Sequence, residues 1–363
     1  MRRMLSTFLA VIVASTAFVA WTFSRFEGLS GPVWTLAPLA LTLGFLPATL
    51  MSRRRKGPLL RGAHVASGVA LGFLTYFVFA SIACWAVAGI GAVLRLHPDP
   101  ARSASLLFGA AAAVGLYGLG AAYCVRITRV TVPLRGLPPR WEGRSLALVT
   151  DVHLGNFRGA SFSRRLVAKL KDLGADCILI GGDLFDGVKI DVDSALRPWA
   201  GLTAPAGVYF VGGNHDDYGG RSLYFDALRR LGVRVLDNEK VEVEGLQLVG
   251  VHDKETHSEG QYRGILRNAD VDARRPSILL VHRPDGLSLA EAAGVSLQLS
   301  GHTHQGQFWP WTMIIRRVYG KFGYGLNRFG RMLVYTSSGA GTWGPPFRIG
   351  SRSEIALIRL APA

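Results

Sequence analysis

Residues 145–155 read SLALVTDVHLG and join an apolar, strand-like run to two side chains that bind metals. Asp151 and His153 stand two positions apart, so on an extended backbone both side chains point to the same side. They can therefore share one metal ion.

Four further blocks repeat this arrangement of an apolar run followed by metal-binding side chains. They read IGGDLFD (180–186), VGGNHDD (211–217), LLVHRPD (279–285) and LSGHTHQG (299–306), and the five blocks together hold five of the nine histidines. Carboxylate, imidazole and amide groups from several strand ends suit a pair of divalent metals, and two adjacent metals suit displacement at phosphorus.

The segments around these blocks alternate between strand-like and helix-like patterns. The predicted strands are SLALVT, CILIGG, GVYFVGG, VEVEG with LQLVGV, SILLVH, SLQLSG, RMLVYTSS and EIALIRL. Residues 161–174 and 222–232 have apolar positions at helical spacing and end at a glycine. This β-α-β order predicts an α/β domain with a mostly parallel core, in which ligands gather at the carboxyl ends of the strands.

The order of the blocks also suggests how the ligands divide between two metals. Asp183 follows two glycines, and its two oxygens can bridge both cations. Asn214 offers a neutral oxygen, and His282 and His302 offer nitrogens for the second metal. His304 lies two residues beyond His302 and returns to the first metal.

In this order the blocks resemble the calcineurin-like metallophosphoesterase superfamily from residue 144 to residue 363. The resemblance implies two mixed β-sheets sandwiched between helices. It assigns Asp151, His153, Asp183 and His304 to one metal and Asp183, Asn214, His282 and His302 to the other. It implies two divalent ions, with Mn²⁺ expected first and Fe or Zn as alternatives.

The resemblance also implies a catalytic role for His215, which follows the ligand Asn214. His215 would be the general acid on the leaving oxygen, and Asp186 would orient its imidazole. The alternative is that His215 only hydrogen-bonds to a metal ligand and that Asp186 is a turn carboxylate. Asp216 either holds its loop or tunes His215.

Two departures from related sequences narrow the substrate. The phosphoprotein phosphatases of this superfamily carry arginines where this chain has Gly187 and Gly212, so protein phosphatase activity is not expected. Together with the apolar runs near the N-terminus, the tail SSGAGTWGPPFRIGSRSEIALIRL resembles a membrane-anchored branch linked to phosphodiester or pyrophosphate hydrolysis. That branch includes enzymes acting on UDP-2,3-diacylglucosamine. A soluble nucleotide phosphodiesterase and a non-catalytic membrane sensor or scaffold are the alternatives.

The N-terminal part predicts a four-helix transmembrane region. Its charge-free apolar runs cover about residues 5–23, 32–51, 65–94 and 103–125, each near the ~20 residues that span a bilayer. We therefore expect a transmembrane anchor over residues 1–130, a linker over 131–143 and the metallophosphoesterase domain over 144–363.

The distribution of charge predicts the orientation in the membrane. Residues 1–140 hold 14 Lys and Arg but only two acidic residues, and most of these basic residues flank alternate apolar runs. Because basic loops resist translocation, we expect an inner (cytoplasmic) membrane protein whose catalytic domain faces the cytoplasm. The basic excess lies in the membrane half, so no nucleic-acid partner is expected.

The segment 308–331 mixes aromatic and basic residues, among them Trp309, Trp311, Arg316 and Arg317. This mixture suits a bilayer interface, so membrane lipids and a lipid-linked phosphate are the expected partners. The alternative is an ordinary insertion that packs on the core. For the VGVHDKETH segment, which contains His252, we expect a solvated loop rather than part of the pocket rim.

Overall fold

The computed structural model describes residues 2–29, 31–218 and 220–363. The chain forms two compact units. One comprises Met1–Gly120 and Gly344–Phe347, and the other comprises Ala121–Trp343 and Arg348–Ala363.

The first unit is helical. Its helices are α1 (Arg2–Glu27), α2 (Val33–Leu43), α3 (Phe45–Ser52), α4 (Pro58–Val93) and α5 (Pro100–Tyr123). By length and composition four stretches could cross a membrane: Ser6–Glu27, Val33–Ser52, Pro58–Val93 and Pro100–Tyr123. The four predicted runs are therefore confirmed as helices, although α4 begins seven residues earlier than its apolar run because Pro58 is well suited to a helix start.

These helices pack through an apolar cluster and a few polar contacts. Phe26, Ala80, Cys84, Ala104 and Phe108 are buried together. Nε1 of the Trp85 side chain donates to the Thr22 hydroxyl at 2.9 Å. Hydrogen bonds of this kind satisfy polar groups that would otherwise face hydrocarbon.

The second unit contains all twelve strands of the described chain. They are β1 (Arg126–Leu134), β2 (Ser145–Val149), β3 (Cys177–Gly181), β4 (Val208–Val211), β5 (Arg234–Val235), β6 (Glu239–Val243), β7 (Leu246–Val251), β8 (Ser277–Val281), β9 (Leu297–Ser300), β10 (Gly325–Phe329), β11 (Met332–Thr336) and β12 (Glu354–Pro362). Its helices are α6 (Ala160–Asp172), α7 (Val192–Leu196), α8 (Asn214–Tyr218), α9 (Arg221–Arg230), α10 (Asp253–Thr256), α11 (Glu259–Asn268), α12 (Leu287–Ala292) and α13 (Trp311–Tyr319).

The strands form two six-stranded mixed sheets, in the orders β1-β12-β2-β3-β4-β5 and β10-β11-β9-β8-β7-β6. In the first sheet β2, β3, β4 and β5 are parallel, and β12 runs antiparallel to β2. In the second sheet β7, β8, β9 and β11 are parallel, with antiparallel β6 and β10 at the edges. The predicted α/β fold with two mixed sheets is confirmed.

The core forms from side chains that alternate between the two faces of each strand. Leu146, Leu148 and Leu179 of the first sheet pack in one buried cluster with Leu248 and Leu280 of the second. The residues between them in sequence, such as Ala147 and Ile178, belong to a separate cluster that includes residues of α6 and α9. Successive side chains of a strand point to opposite faces, so the central strands pack against the other sheet on one face and against helices on the other. Because both of their faces are buried, the central strands are nearly continuous apolar runs.

The structure differs from the expected linker. The expected linker over residues 131–143 overlaps strand β1 (Arg126–Leu134), which begins within the expected anchor and pairs in parallel with β12 over its whole length. Sequence patterns missed this strand because only its Val132 and Leu134 are buried, and an edge strand needs no continuous apolar run.

The aromatic and basic segment 308–331 is divided by the fold. Residues 325–329 form β10, and Phe322 and Phe329 pack on the second sheet, as expected for an insertion that joins the core. The helix α13 is different, since none of its nine residues, all of which the structure describes, is buried.

Candidate metal centre

The first group of candidate ligands comes from the loops after β2 and β9. Asp151, His153 and His304 each point one ligand atom to a common position, with all of these atoms within 4.8 Å of one another. Nε2 of His304 lies 3.4 Å from Oδ1 of Asp151 and 3.1 Å from Nε2 of His153. All three side chains are buried.

The second group lies beside the first. Asp183, His282 and His302 also bring their ligand atoms within 4.8 Å of one another. Nε2 of His282 lies 3.2 Å from Oδ2 of Asp183, and that same oxygen lies 3.7 Å from Nε2 of His153. Asp183 therefore stands between the two groups, as a bridging carboxylate requires.

The residues fit a pair of divalent cations. Within the described part of the chain, Oδ1 of Asn214 is buried without a hydrogen-bond partner, and Nε2 of His282 faces the Asp183 carboxylate at 3.2 Å. A buried polar atom left unpaired costs about 1–3 kcal/mol, so the Asn214 oxygen calls for a compensating ligand. The set of imidazoles, carboxylates and one amide is a donor set typical of such cations.

Hydrogen bonds orient two of the imidazoles toward the shared centre. Nδ1 of His282 donates to the Gly181 carbonyl at 2.9 Å, and Nδ1 of His153 lies 3.1 Å from Oδ1 of Asp186. With Nδ1 used as the donor, Nε2 keeps its lone pair for a metal. Burial also lowers the pKa of His302 to about 2, which keeps that imidazole neutral and able to bind a cation.

The backbone at the ligands is strained. Five of the seven candidate ligands have a positive φ: Asp151, His153, Asp183, His302 and His304, with φ between 49° and 67°. Side chains other than glycine rarely adopt this conformation, and it persists only where the surrounding structure imposes it. The strain concentrates at these loops and marks them as functional.

Two glycines are required because the carboxylates pack against their backbone. A Cβ added to Gly213 would lie 2.2 Å from Oδ1 of Asp183, and one added to Gly301 would lie 2.2 Å from Oδ2 of Asp151. No side chain fits at either position. The glycines in VGGNH and SGHTH therefore let the loops close around the carboxylates.

Asp216 holds the loops together. Its carboxylate accepts three backbone N–H groups, from Asp183 and Gly213 at 2.8 Å each and from Phe185 at 2.9 Å. Of the two roles considered for Asp216, this geometry favours the loop-holding one. Burial and the neighbouring Asp183 raise the pKa of Asp216 to about 7, while the backbone donors lower it.

His215 belongs to neither of these two groups, but with His153 and Asp186 it forms a third set whose possible ligand atoms lie within 4.8 Å of one another. Its Nδ1 donates to the backbone carbonyl of Asp186 at 3.2 Å, which leaves Nε2 free, and its ring centroid lies 4.8 Å from that of His153. The Asp186 carboxylate is 3.7 Å from Nδ1 of His215 but only 3.1 Å from Nδ1 of His153. Asp186 thus orients His215 mainly through its carbonyl, and its carboxylate serves His153.

Two exposed aromatic rings flank His215. The ring of Tyr218 lies 5.2 Å from the His215 ring and that of Trp343 lies 6.0 Å from it. The Gln307 side chain fixes the backbone of Trp343, since its Oε1 accepts from Trp343 N at 2.9 Å and its Nε2 donates to Trp343 O at 3.0 Å. None of these three residues was predicted from the sequence, although Trp343 lies in the tail motif that carried the resemblance.

Arg348 of the same tail is buried beneath the first ligand group. Its guanidinium donates to the His304 carbonyl at 2.8 Å and to the Ser338 and Gly341 carbonyls at 2.6 and 2.7 Å. The glycine-rich loop that it holds also bonds to the ligand strand, since Gly341 N donates to Asp151 O at 2.8 Å. The tail therefore forms hydrogen bonds to the backbone of two ligands, His304 and Asp151.

The prediction of a solvated loop around His252 is wrong. His252 and Asp253 are buried, and each contacts a residue next to a candidate ligand in the chain or close to one. Nδ1 of His252 accepts from Gly212 N at 2.7 Å, and Oδ1 of Asp253 lies 2.6 Å from Nε of Arg283, the residue after the ligand His282. Within this segment Lys254 and His257 are exposed and match the expectation.

The four interface candidates follow the last ligand, His304, in the chain. Trp309 is in the loop after Gln307, Trp311 begins α13, and Arg316 and Arg317 lie in its last turn. All four are exposed, and no ligand group includes them.

Comparison with known proteins identifies this arrangement. The family described as Calcineurin-like phosphoesterase matches residues 144–306. An uncharacterized metallophosphoesterase of Aquifex aeolicus is 30% identical over 256 residues, which cover 68% of this chain and 96% of that protein. The chain belongs to the calcineurin-like metallophosphoesterases.

Two other relatives of this metallophosphoesterase are longer than the region that matches this chain. An uncharacterized metallophosphoesterase of Helicobacter pylori is 36% identical over 221 residues, covering 60% of each chain. A transmembrane protein with metallophosphoesterase domain from Danio rerio is 34% identical over 271 residues, covering 69% of this chain and 61% of its own length. The chain thus spans about three-fifths of the length of these two relatives.

The predicted family is confirmed, and together with the four apolar helices the Danio rerio relative indicates a membrane protein. Among solved structures, a dimetal phosphatase from Danio rerio covers 55% of this chain and 88% of its own at 13% identity and a TM-score of 0.38, too distant to inform function. The family and the ligand groups fit two metal ions.

Proposed function

We propose that this protein is a metal-dependent hydrolase of a phosphodiester or pyrophosphate bond. The observation that carries the proposal is the pair of buried ligand groups, joined by Asp183 and bordered by the free Nε2 of His215. A binding module needs the ligands but has no use for a proton donor next to them.

When bound, two divalent cations would activate a water and neutralise charge on the phosphoryl oxygens. The chain's own residues supply the rest. Asp183 would hold both cations because its carboxylate lies between His282 and His153, and the hydrogen bonds on His153 and His282 keep those ligands in place. Burial of the ligands excludes bulk water and strengthens each electrostatic contact.

His215 would protonate the leaving oxygen from Nε2. Burial lowers the pKa of His215, while the Asp183 and Asp186 carboxylates raise it. A phosphoryl group arriving beside the ring adds further negative charge and so favours the protonated imidazole. Proton transfer of this kind contributes about 10²–10⁴-fold to the rate.

The two glycine positions support a diester or pyrophosphate rather than a phosphoprotein. A Cβ at Gly187 would lie 2.8 Å from Cβ of Tyr218, and one at Gly212 would lie 2.7 Å from Cζ of Phe225. The Tyr218 side chain and the His215 backbone at Gly187, and the Phe225 ring at Gly212, thus occupy the space that an arginine would need. A phosphate dianion would find no guanidinium there, whereas a diester needs less charge.

We further propose that the substrate is lipid-linked, with a UDP-2,3-diacylglucosamine-type molecule as one candidate, and that Mn²⁺ is the metal. The catalytic domain would face the cytoplasm at the inner membrane. The four apolar helices and the basic residues between the second and third of them support this orientation. Soluble nucleotide diesters are the second class to test.

The leaving group gives the sharpest test. The full-length protein, purified in detergent with Mn²⁺, would be assayed on bis-p-nitrophenyl phosphate and on a diester with an alkyl leaving group. We expect His215→Ala to lower kcat about 10²–10⁴-fold on the alkyl ester and much less on the nitrophenyl ester, whose leaving group needs no proton.

His257→Ala is the matched control, because this histidine lies at the surface and outside the ligand groups. Metal-dependent turnover that is lost equally on both esters would assign His215 a structural role. No turnover on any diester or pyrophosphate, including UDP-2,3-diacylglucosamine in mixed micelles, would favour a sensor or scaffold.

A further inference from the structure

We propose that α13 is a membrane-docking helix that lies on an anionic lipid surface next to the metal centre. The use of this docking, which is to bring a lipid-linked phosphate to the ligands, rests on the proposed function. The docking itself follows from the exposure, charge and attachment of the helix.

The exposed face of α13 is apolar. Trp311, Ile314 and Val318 recur at the spacing of one helical face, and they are 49%, 49% and 66% exposed. Ile315 and Tyr319, on the neighbouring face, are half-buried against the protein. A helix of nine residues that turns three large apolar side chains outward calls for an apolar partner.

The charges of the segment select the partner. Arg316 and Arg317 in α13 and Lys321 just after it are exposed and basic, and residues 309–323 contain no acidic residue. Apolar residues that include tryptophan, flanked by basic ones, are typical of helices that lie in the headgroup region of anionic bilayers. A protein groove with a purely apolar lining would leave these three cations without a counter-charge.

The attachment of the helix links the lipid surface to the site. Thr303, between the ligands His302 and His304, donates from its hydroxyl to the Gly323 carbonyl at 2.8 Å, beyond the end of the helix. At the other end, a Cβ on Gly306 would lie 2.5 Å from the Thr312 backbone. The loop that carries two ligands is therefore hydrogen-bonded just beyond the end of α13 and packs closely against its first turn.

The chain joins the catalytic domain closely to the last candidate span. Only Cys124 and Val125 separate α5, the last candidate span, from β1 of the catalytic domain. A domain joined so closely to a spanning helix stays at the membrane surface, so α13 needs little additional affinity to remain docked.

A lipid-quenching experiment on the full-length protein tests the docking without turnover. Ile314→Cys in a Cys124→Ser background would carry a bimane label, since Cys84 and Cys177 are buried. Leu223→Cys on α9, also exposed, is the matched control. The protein would be placed in nanodiscs of phosphatidylcholine with 30% phosphatidylglycerol, with or without doxyl-labelled lipid, as for other interfacial helices.

We expect doxyl lipid to quench the label at position 314 at least threefold and the label at position 223 very little. Adding Arg316→Glu and Arg317→Glu should reduce the quenching at position 314. Equal emission with and without doxyl lipid would overturn the proposal. So would a label that is shielded from aqueous iodide yet not quenched by lipid, because this result would indicate a protein partner.

A second measurement separates docking from chemistry. The second variant carries Trp311→Ser, Ile314→Ser and Val318→Ser. It would be assayed on bis-p-nitrophenyl phosphate and on the p-nitrophenyl ester of phosphatidic acid in vesicles. We expect at least a tenfold loss on the vesicle substrate and less than a twofold loss on the soluble one. Equal losses would reject docking, whereas an inactive wild type with intact quenching would reject only the proposed function.

Discussion

Oδ1 of Asp186 lies 3.1 Å from Nδ1 of His153, a candidate metal ligand. Its distance to Nδ1 of His215 is longer, at 3.7 Å, and the backbone carbonyl of Asp186 is the group that hydrogen-bonds to His215. One residue thus supports both the metal centre and the candidate acid, but through different atoms. A substitution of its side chain should therefore affect mainly the metal.

We expect Asp186→Ala to weaken Mn²⁺ binding about 10–100-fold, the usual effect of removing a partner that orients a metal ligand. Asp186→Asn keeps an acceptor for the His153 Nδ1–H and should lose less. Isothermal titration of the metal-free full-length protein measures the effect. His215→Ala, which removes no proposed ligand, is the control, and its Mn²⁺ affinity should stay within about twofold of wild type. A larger loss of Mn²⁺ affinity in His215→Ala than in Asp186→Ala would contradict this division of roles.

Asp216 should be important for stability although it binds no metal. Asp216→Ala leaves three buried backbone N–H groups without an acceptor, which we expect to cost about 3 kcal/mol of unfolding free energy. Asp216→Asn retains one oxygen and should lose less. Denaturant unfolding with excess Mn²⁺ measures the difference, and an alanine variant as stable as wild type would show that the loops do not need this carboxylate.

His252 should make the catalytic domain sensitive to acid. Burial lowers the pKa of His252 from 6.5 to about 4 in the folded protein. As pH falls below about 6.5, the unfolded chain takes up this proton first, so stability is full above 6.5 and is lost progressively down to about pH 4. The loss amounts to about 3 kcal/mol.

The variant His252→Gln can still accept from Gly212 N but does not titrate. Its unfolding free energy should fall less than that of wild type between pH 7 and pH 4.5. Surface His257→Gln serves as the control and should follow the wild-type curve. Parallel curves for wild type and His252→Gln would show that His252 is not the group responsible.

The rings of Tyr218 and Trp343 should favour substrates whose leaving group is flat. Trp343 is 57% exposed beside His215, and its backbone is fixed by Gln307. A ring contact contributes about 1 kcal/mol, so Trp343→Leu should lower kcat/KM about fivefold on methyl benzyl phosphate. Methyl cyclohexylmethyl phosphate, which has a puckered ring, should change less.

Trp343→Phe should restore most of the preference for the benzyl ester. Leu223→Ala, at an exposed apolar position on α9, is the control and should leave both esters unaffected. If Trp343→Leu changes the two esters equally, the indole has no part in selecting the leaving group.

Patterns in the sequence predicted nine of the twelve strands in the described chain and the candidate ligands, while the family resemblance implied the two sheets. Blocks such as VTDVH and GHTH follow apolar runs, and the carboxyl ends of parallel strands meet at one edge, so their convergence could be inferred without coordinates. The same local logic found the four apolar helices, whose length and lack of charge are sufficient evidence.

Only the tertiary structure decided how the neighbours of these ligands are used. Arg348 lies 44 residues from His304 and is close to it only because the tail folds beneath the site. The burial of His252, the pairing of β1 and the exposure of α13 likewise depend on which surfaces the fold covers. Local patterns encode the period and polarity of each segment, but burial and contact between distant side chains arise when the segments pack, and packing is a property of the whole chain.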